Sequence, residues 1–393
     1  MIRLLLCLLL FAVPAFCSPV IKFVFTYEGK RFEHIIDIFS KQENIEIERL
    51  WANQGDLKVN LLAYIEKGNA PDVVMIPADH IGLHQLMHYS VIPENYQSSA
   101  ISNELWQSVK SDGQIYGIPV IQGNHLVLYY NKRYIDKPAT SWQEIKQQKS
   151  EFSTKKQVKQ NTRFIAWNYQ EMYWFSPFFN AYSGDVITAN GQLSLDSPAM
   201  INALNYYKQF ADDNLVDKNC DYQCARQLFL DGKLAYTING DWAFKEYQAT
   251  LGDNLGIAQL PAIAPETPLV SYFSTHVLAF PNNSLTGPKK VILQKLVNFI
   301  QQQVAQEQIW LSMKVFPVHQ AVFNRIKNSQ SPLVQELVTG LSHAQLMSSD
   351  STMSYAWSAL RKGFLRHQAG VMNAEQSAQL MQRIATNNQR KNQ

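Results

Sequence analysis

VIKFVFTYEGKRFEHIIDIFSKQENIEI occupies residues 20–47, and its change of period decides the fold class. Val20 to Phe25 is a nearly continuous apolar run, the pattern of a strand buried on both faces. Phe32, Ile35, Ile36 and Phe39 then recur at helical spacing. Ile45 to Ile47 returns to a short strand, Leu57, Leu61, Tyr64 and Ile65 mark a second amphipathic helix, and Asp72 to Ile76 is a third strand closed by Pro77. Strand, helix, strand, helix, strand predicts an α/β protein with a parallel sheet covered by helices. Farther along, Ser141 and Glu144 form a capping box, and Ser197-Pro198 and Gly287-Pro288 place proline at helix starts. From Pro288 to Thr386 the pattern is mostly helical. No internal repeat is visible, and the Asn/Gln-rich tail after Ala385 is expected to fray.

The beginning of the chain sets the compartment. One cation, Arg3, precedes an apolar run from Leu4 to Val13, followed by Pro14, Ala15, Phe16 and Cys17. That layout is a secretory signal, too short for a spanning helix of roughly 20 apolar residues. Cleavage is expected after Cys17, leaving the protein in the periplasm. A lipid-modified Cys17 is the rival, against which the bulk of Phe16 argues. A mature chain of about 375 residues exceeds what one core usually serves, so two domains are expected. The net charge of +3 is spread out, with no concentrated basic patch for nucleic acid.

After signal removal only Cys220 and Cys224 remain. Two thiols this close in an oxidising compartment predict a local disulfide. On a continuous helix the start would have to distort to join the sulfurs; buried free thiols are the alternative.

Five segments, in order, carry a family resemblance: GNAPDVVMIPADH (68–80); DGQIYGIPV with LVLYYNKRYI (112–120, 126–135); NYQEMYWFSPFF (168–179); LFLDGKLAYTINGDWAF (228–244); and VFPVHQAVF (315–323) followed by MSYAWSALR (353–361). The chain resembles the family 1 extracellular solute-binding proteins of ABC importers, within them the maltose/maltodextrin-binding branch. The resemblance implies two α/β lobes, each built from two chain segments: 18–124 with 275–323, and 128–270 with 328–393. Hinges would lie near 124–128, 270–275 and 323–328, and the ligand between the lobes. It implies a sugar as solute, an inner-membrane permease as partner, a monomer, no cofactor and no catalysis. A receptor feeding a chemotaxis or two-component sensor would have the same sequence features.

Sugars present hydroxyl edges and weakly positive C–H faces, so a receptor needs electron-rich rings plus carboxylates, amides and cations. Tyr173, Trp242 and Trp357 match the family's stacking rings; Glu171, Asp79 and Lys30 match its hydroxyl-binding positions; Glu28 falls near the acid after the first strand. Arg361 lies one helical turn from Trp357. Trp242 follows Asn239-Gly240-Asp241, expected to be a turn with outward side chains. Three positions depart from the branch. Ile76 replaces a tryptophan, His80 replaces an arginine, and Asn124 or His125 replaces a carboxylate on the crossing strand. A linear maltodextrin is therefore not the only saccharide that fits. His80, His84 and His88 would form one helical stripe, a possible metal site, and Tyr129-Tyr130 resembles the tyrosine pairs of iron-binding relatives. Glu171 and Asp241 could be imagined as a glycosidase pair; carboxylates for binding are the simpler account.

Overall fold

A computed structural model describes residues 20–25, 30–52, 57–152, 161–188 and 190–391. The signal segment and Glu28 lie outside these residues, and Lys30 is described only in its backbone. In chain order the strands are β1 (Val20–Phe25), β2 (Glu46–Trp51), β3 (Val73–Pro77), β4 (Lys110–Ser111), β5 (Gln114–Ile115), β6 (Ile118–Gly123), β7 (Leu126–Asn131), β8 (Arg163–Ala166), β9 (Leu234–Gly240), β10 (Leu255–Ala258), β11 (Tyr272–Ala279), β12 (Phe316–Pro317) and β13 (Gln345–Leu346).

The opening alternation has the predicted form. Helix Lys30–Glu43 joins β1 to β2 and helix Leu57–Glu66 joins β2 to β3. Phe32, Ile35, Ile36 and Phe39 are all fully buried, as their spacing requires. β1 is parallel to β2 on one side and to β3 on the other.

The first sheet runs β12-β6-β11-β3-β1-β2, with β13 on β11, and the second runs β10-β7-β9-β8. The first sheet is mixed rather than purely parallel, because β11 is antiparallel to both β3 and β6. The reason lies in the connections. β6 leaves the first sheet at Gly123 and, after Asn124 and His125, becomes β7 of the second sheet. β11 arrives from the second sheet's side with no crossover helix, so it must run opposite to β6. It follows that β1, β2, β3 and β6 all point their carboxyl ends toward the second lobe. The second sheet is also mixed: β7 is antiparallel to β9 and β10, and β8 is parallel to β9.

Alternation along β7 joins the two cores. Val127 and Tyr129 belong to the hydrophobic cluster that continues into the first lobe, whereas Leu126, Leu128 and Tyr130 belong to the core of the second. The expected cap is present: Glu144 N–H donates to Ser141 Oγ at 3.2 Å, and the Glu144 carboxylate accepts from Thr140 N–H at 2.7 Å. Ser197 accepts from Met200 N–H ahead of helix Pro198–Asp212. Residues 323–328, expected as the third joint, lie mostly within helix Gln320–Lys327. No helix among the described residues is long and apolar enough to cross a membrane.

The crossing itself needs glycine. Gly123 has φ +126°, and a Cβ there would overlap Asp241 Oδ2. Gly123→Ala should therefore lower unfolding free energy by about 2 kcal/mol or more, combining backbone strain with the overlap. Guanidinium unfolding measures this; an unchanged midpoint would mean that the crossing yields freely.

Candidate ligand-binding cleft

The carboxyl edge of an open α/β sheet is where ligands bind, and here that edge faces the second lobe. Asp79 and His80 follow β3 in the turn Ala78–Leu83, both half-buried. The helix Ser351–Gln368 of the second lobe packs on this turn. Asp79 is close enough to act electrostatically on the Tyr173 hydroxyl. Residues from the two lobes thus meet across one space.

On the second lobe, Tyr173, Trp242 and Trp357 come together although they are far apart in sequence. The Tyr173 ring centroid lies 6.4 Å from Trp242 and 6.5 Å from Trp357, with the planes tilted by 51° and 43°. All three are half-buried, so they are neither core nor free surface. Trp242 sits in a short turn, Asp241–Ala243, straight after β9. Its ring folds back over Gly240, where any Cβ would overlap it. Trp174 meets Trp242 edge-on at 6.1 Å, and Trp242 Nε1 donates to Tyr222 Oη at 3.2 Å.

Tyr173 lies in helix Met172–Ala181, which contains Pro177. Proline cannot donate to the carbonyl four residues back, which is that of Tyr173. Ser176 Oγ donates to this carbonyl instead, at 2.9 Å, so the helix keeps Tyr173 in place despite the proline. The Tyr173 hydroxyl donates to the carbonyls of Asn124 and, at 3.2 Å, Tyr272. Both crossing strands are thereby tied to the platform ring. Burial, then Asp241, Asp79 and Tyr272, push the Tyr173 hydroxyl well above its usual pKa, so it remains a donor.

The polar partners divide between the lobes. Glu171 stands at the start of the Tyr173 helix. Burial raises its pKa, while Arg361 and the N–H groups of Met172 and Tyr173 pull the other way. Arg361 is exposed, one turn beyond Trp357. Asn124, with φ +59°, donates from Nδ2 to Ser274 Oγ at 3.3 Å and approaches Tyr173 Oη at 3.4 Å. The choice between Asn124 and His125 resolves here: Asn124 is half-buried at the crossing, and His125 is wholly buried.

The structure corrects three expectations. The stripe of His80, His84 and His88 does not form, because the segment is a 3-10 turn followed by a single α-turn ending at His88 in the left-handed region. At three residues per turn, a four-residue spacing no longer shares a face. His84 is instead held by the Ile81 carbonyl at 3.2 Å, lies 3.1 Å from Asp112 and stacks on Tyr116. No metal-binding cluster of His, Cys, Asp and Glu occurs among the described residues. Tyr129 and Tyr130 are both buried, on opposite faces of β7. Lastly, Asn239-Gly240 is not an outward turn but the buried end of β9, and Asp241 after it is only 3% exposed.

Cys220 and Cys224 are joined, with Cα atoms 5.2 Å apart. Helix Tyr222–Leu230 begins after Cys220, so no helical turn has to distort, and Asp221 caps it by accepting from Cys224 N–H at 2.9 Å. The bridge brackets Tyr222, the residue that holds Trp242. Tyr222, Trp174 and Ser274 support the site without having been singled out in the sequence; the only available signal was the position of Tyr222 between the cysteines.

Asp241 and His125 form the buried base of the cleft. His125 Nε2 is 2.9 Å from the Leu337 carbonyl, which makes Nε2 the protonated nitrogen. Nδ1 then presents a lone pair to Asp241 Oδ2, 3.6 Å away. Asp241 Oδ1 accepts from Asn124 N–H at 3.1 Å. Burial moves both groups toward neutrality, raising Asp241 to about 8 and lowering His125 to about 4. A neutral carboxyl facing a neutral imidazole is the charge state such a dry site favours.

A family model described as bacterial extracellular solute-binding protein matches residues 34–336. The chain is similar to the maltodextrin-binding protein MdxE of Bacillus subtilis (strain 168), 28% identical over 209 residues, 50% of this chain and 49% of that protein. It therefore spans about half the length of that relative. It is also similar to a maltotriose-binding protein of Pyrococcus abyssi, 21% identical over 327 residues, 80% of this chain and 70% of that one. Among solved structures, the maltose/maltodextrin-binding domain MalE from Bdellovibrio bacteriovorus bound to maltotriose superposes with a TM-score of 0.83, at 23% identity, covering 95% of this chain and 100% of that one. The GacH receptor of Streptomyces glaucescens, determined unliganded and with acarbose, gives 0.82 at 17% identity, covering 93% and 97%. At such identities these structures speak to the fold: two lobes with mixed sheets.

Asp241 makes stability depend on pH. Its folded pKa is raised, so its contribution is complete below the unfolded value and is lost as pH rises toward 8. His125 acts oppositely, but its window closes at about 6.5. Between pH 6.5 and 8 wild-type stability should fall by roughly 2 kcal/mol, whereas Asp241→Asn should stay nearly level. Urea unfolding at both pH values decides it; parallel declines in the two proteins would show that another group titrates.

Proposed function

Because the chain belongs to the bacterial extracellular solute-binding proteins, we propose that its solute is a saccharide, bound between the lobes and handed to an inner-membrane ABC permease. The observation that carries this reading is the cluster of Tyr173, Trp242 and Trp357, each ring within 6.5 Å of Tyr173, facing Asp79 on the opposite lobe. Ring faces suit the C–H surfaces of a pyranose, and Asp79, Glu171 and Arg361 suit its hydroxyls. Lys30, Glu28, His80 and Asn124 complete the proposed set on the first lobe. The relatives' names, maltodextrin and maltotriose, support a maltose-like oligosaccharide. Ile76, where that branch carries a ring, leaves the first-lobe wall at β3 without one.

In this reading the chain is secreted with cleavage after Cys17, works as a periplasmic monomer, and is divided into lobes 18–124 with 275–323 and 128–270 with 328–393. Binding shifts the population toward the closed form, since only a ligand touching both lobes stabilises closure. It catalyses nothing. Asp241, which would pair with Glu171 in glycosidase chemistry, is buried and hydrogen-bonded to the crossing.

Trp242→Ala and Tyr173→Ala should each lose about 1–3 kcal/mol of affinity for the saccharide while remaining folded. Calorimetry against maltose, maltotriose and maltotetraose tests this, and full affinity in a folded variant would remove that ring from the site. Incubation with the same saccharides should leave them intact. Turnover that disappears in Glu171→Gln would replace the receptor reading with an enzyme.

A further inference from the structure

We propose that Trp51 is a first-lobe platform for a sugar ring beyond the one held at Tyr173, so that the cleft accepts a saccharide of at least three units lying across β3, β1 and β2. This rests on the saccharide reading above. Trp51 is the last residue of β2 and is 51% exposed, the only tryptophan among the large exposed apolar side chains of the described residues. It is not loose: its ring stacks on Phe25 at 5.1 Å with a 29° interplanar angle, and Phe25 itself is fully buried and stacked on Phe23 at 4.1 Å. One face is therefore fixed by the core and the other is left open.

The topology puts Trp51 at the carboxyl edge of the sheet, the edge that faces the second lobe. Phe25 pairs in register with Trp51 on one side and Met75 on the other, so β1 and β2 end side by side while β3 runs on to Pro77. Asp79 follows β3 at this same edge and acts on Tyr173 across the cleft. Two strand spacings of about 4.8 Å place Trp51 roughly 10 Å along the edge from Asp79. That is beyond the reach of a single pyranose, and suits a neighbouring unit of a chain. An aromatic wall absent at Ile76 is thus supplied from the next-but-one strand, which redirects the saccharide along the sheet edge. A ring whose only task was to cover Phe25 would change nothing in chain-length preference.

Calorimetry on Trp51→Ala and Trp51→Tyr, using maltose, maltotriose and maltotetraose, tests the proposal. Trp51→Ala should weaken maltotriose and maltotetraose roughly tenfold and leave maltose within twofold; Trp51→Tyr should retain most of the difference. In the wild-type protein, hydroxyl-radical footprinting read by mass spectrometry should show Trp51 protected by maltotetraose and not by maltose. This arm needs no variant to fold. Unchanged affinities, an equal loss for every length, or an unprotected Trp51 at saturation overturns the proposal while leaving the saccharide reading intact. A wild-type protein that binds none of the three overturns both.

Discussion

Where β6 becomes β7, two residues separate the sheets and the backbone passes directly over the Asp241 carboxyl. Everything that positions the cleft depends on this contact. Gly123 supplies the only side chain small enough and the only backbone tolerant enough of φ +126°. Asn124 then turns through the left-handed region, donating its N–H to Asp241 while its carbonyl accepts from the Tyr173 hydroxyl. The same hydroxyl reaches the Tyr272 carbonyl at the start of β11. One tyrosine therefore reads the position of both crossing strands.

Rigid support behind the rings serves the same end. An aromatic platform contributes affinity only if little freedom remains to be lost on binding. Trp242 is confined by Gly240 below, Trp174 at its edge and the Tyr222 hydroxyl at its nitrogen. Tyr222 is confined in turn by the Cys220–Cys224 bridge around it. The disulfide closes a short loop, for which the entropic stabilisation is modest. Its structural consequence lies in where it sits, two contacts behind a candidate ligand-binding ring.

Much of this was legible in residue order. The helical period of Phe32, Ile35, Ile36 and Phe39 and the apolar run of β1 follow from burial alone, and both hold. Tyr173, Trp242 and Trp357 became candidates through family resemblance, and the fold brings them together. What periodicity could not show is direction and depth. The antiparallel course of β11 depends on its arriving from the other lobe, 149 residues after β6 by the count from Gly123 to Tyr272. The histidine stripe failed because a 3-10 turn and a four-residue helix share no four-residue face. The burial of Asp241 depends on the crossing strand above it, and the exposure of Trp51 on its place at the end of β2, the last strand of its sheet among the described residues.

Depth also separates the roles of the carboxylates. Asp241 is sealed and held neutral over a range in which an ordinary aspartate is charged. An unpaired carboxylate there would face the lone pair of His125 Nδ1 without compensation. Asp79 and Glu171 are half-buried, and Glu171 has the Arg361 charge and two backbone N–H groups to balance its burial. A half-buried acid keeps part of its hydration, which hydroxyl donors can replace. Converting the buried acid to an amide should thus disturb pH dependence more than binding, whereas converting Glu171 should do the reverse. Burial thus separates the two acids: Asp241 is sealed against the crossing, and Glu171 keeps the access that a ligand needs.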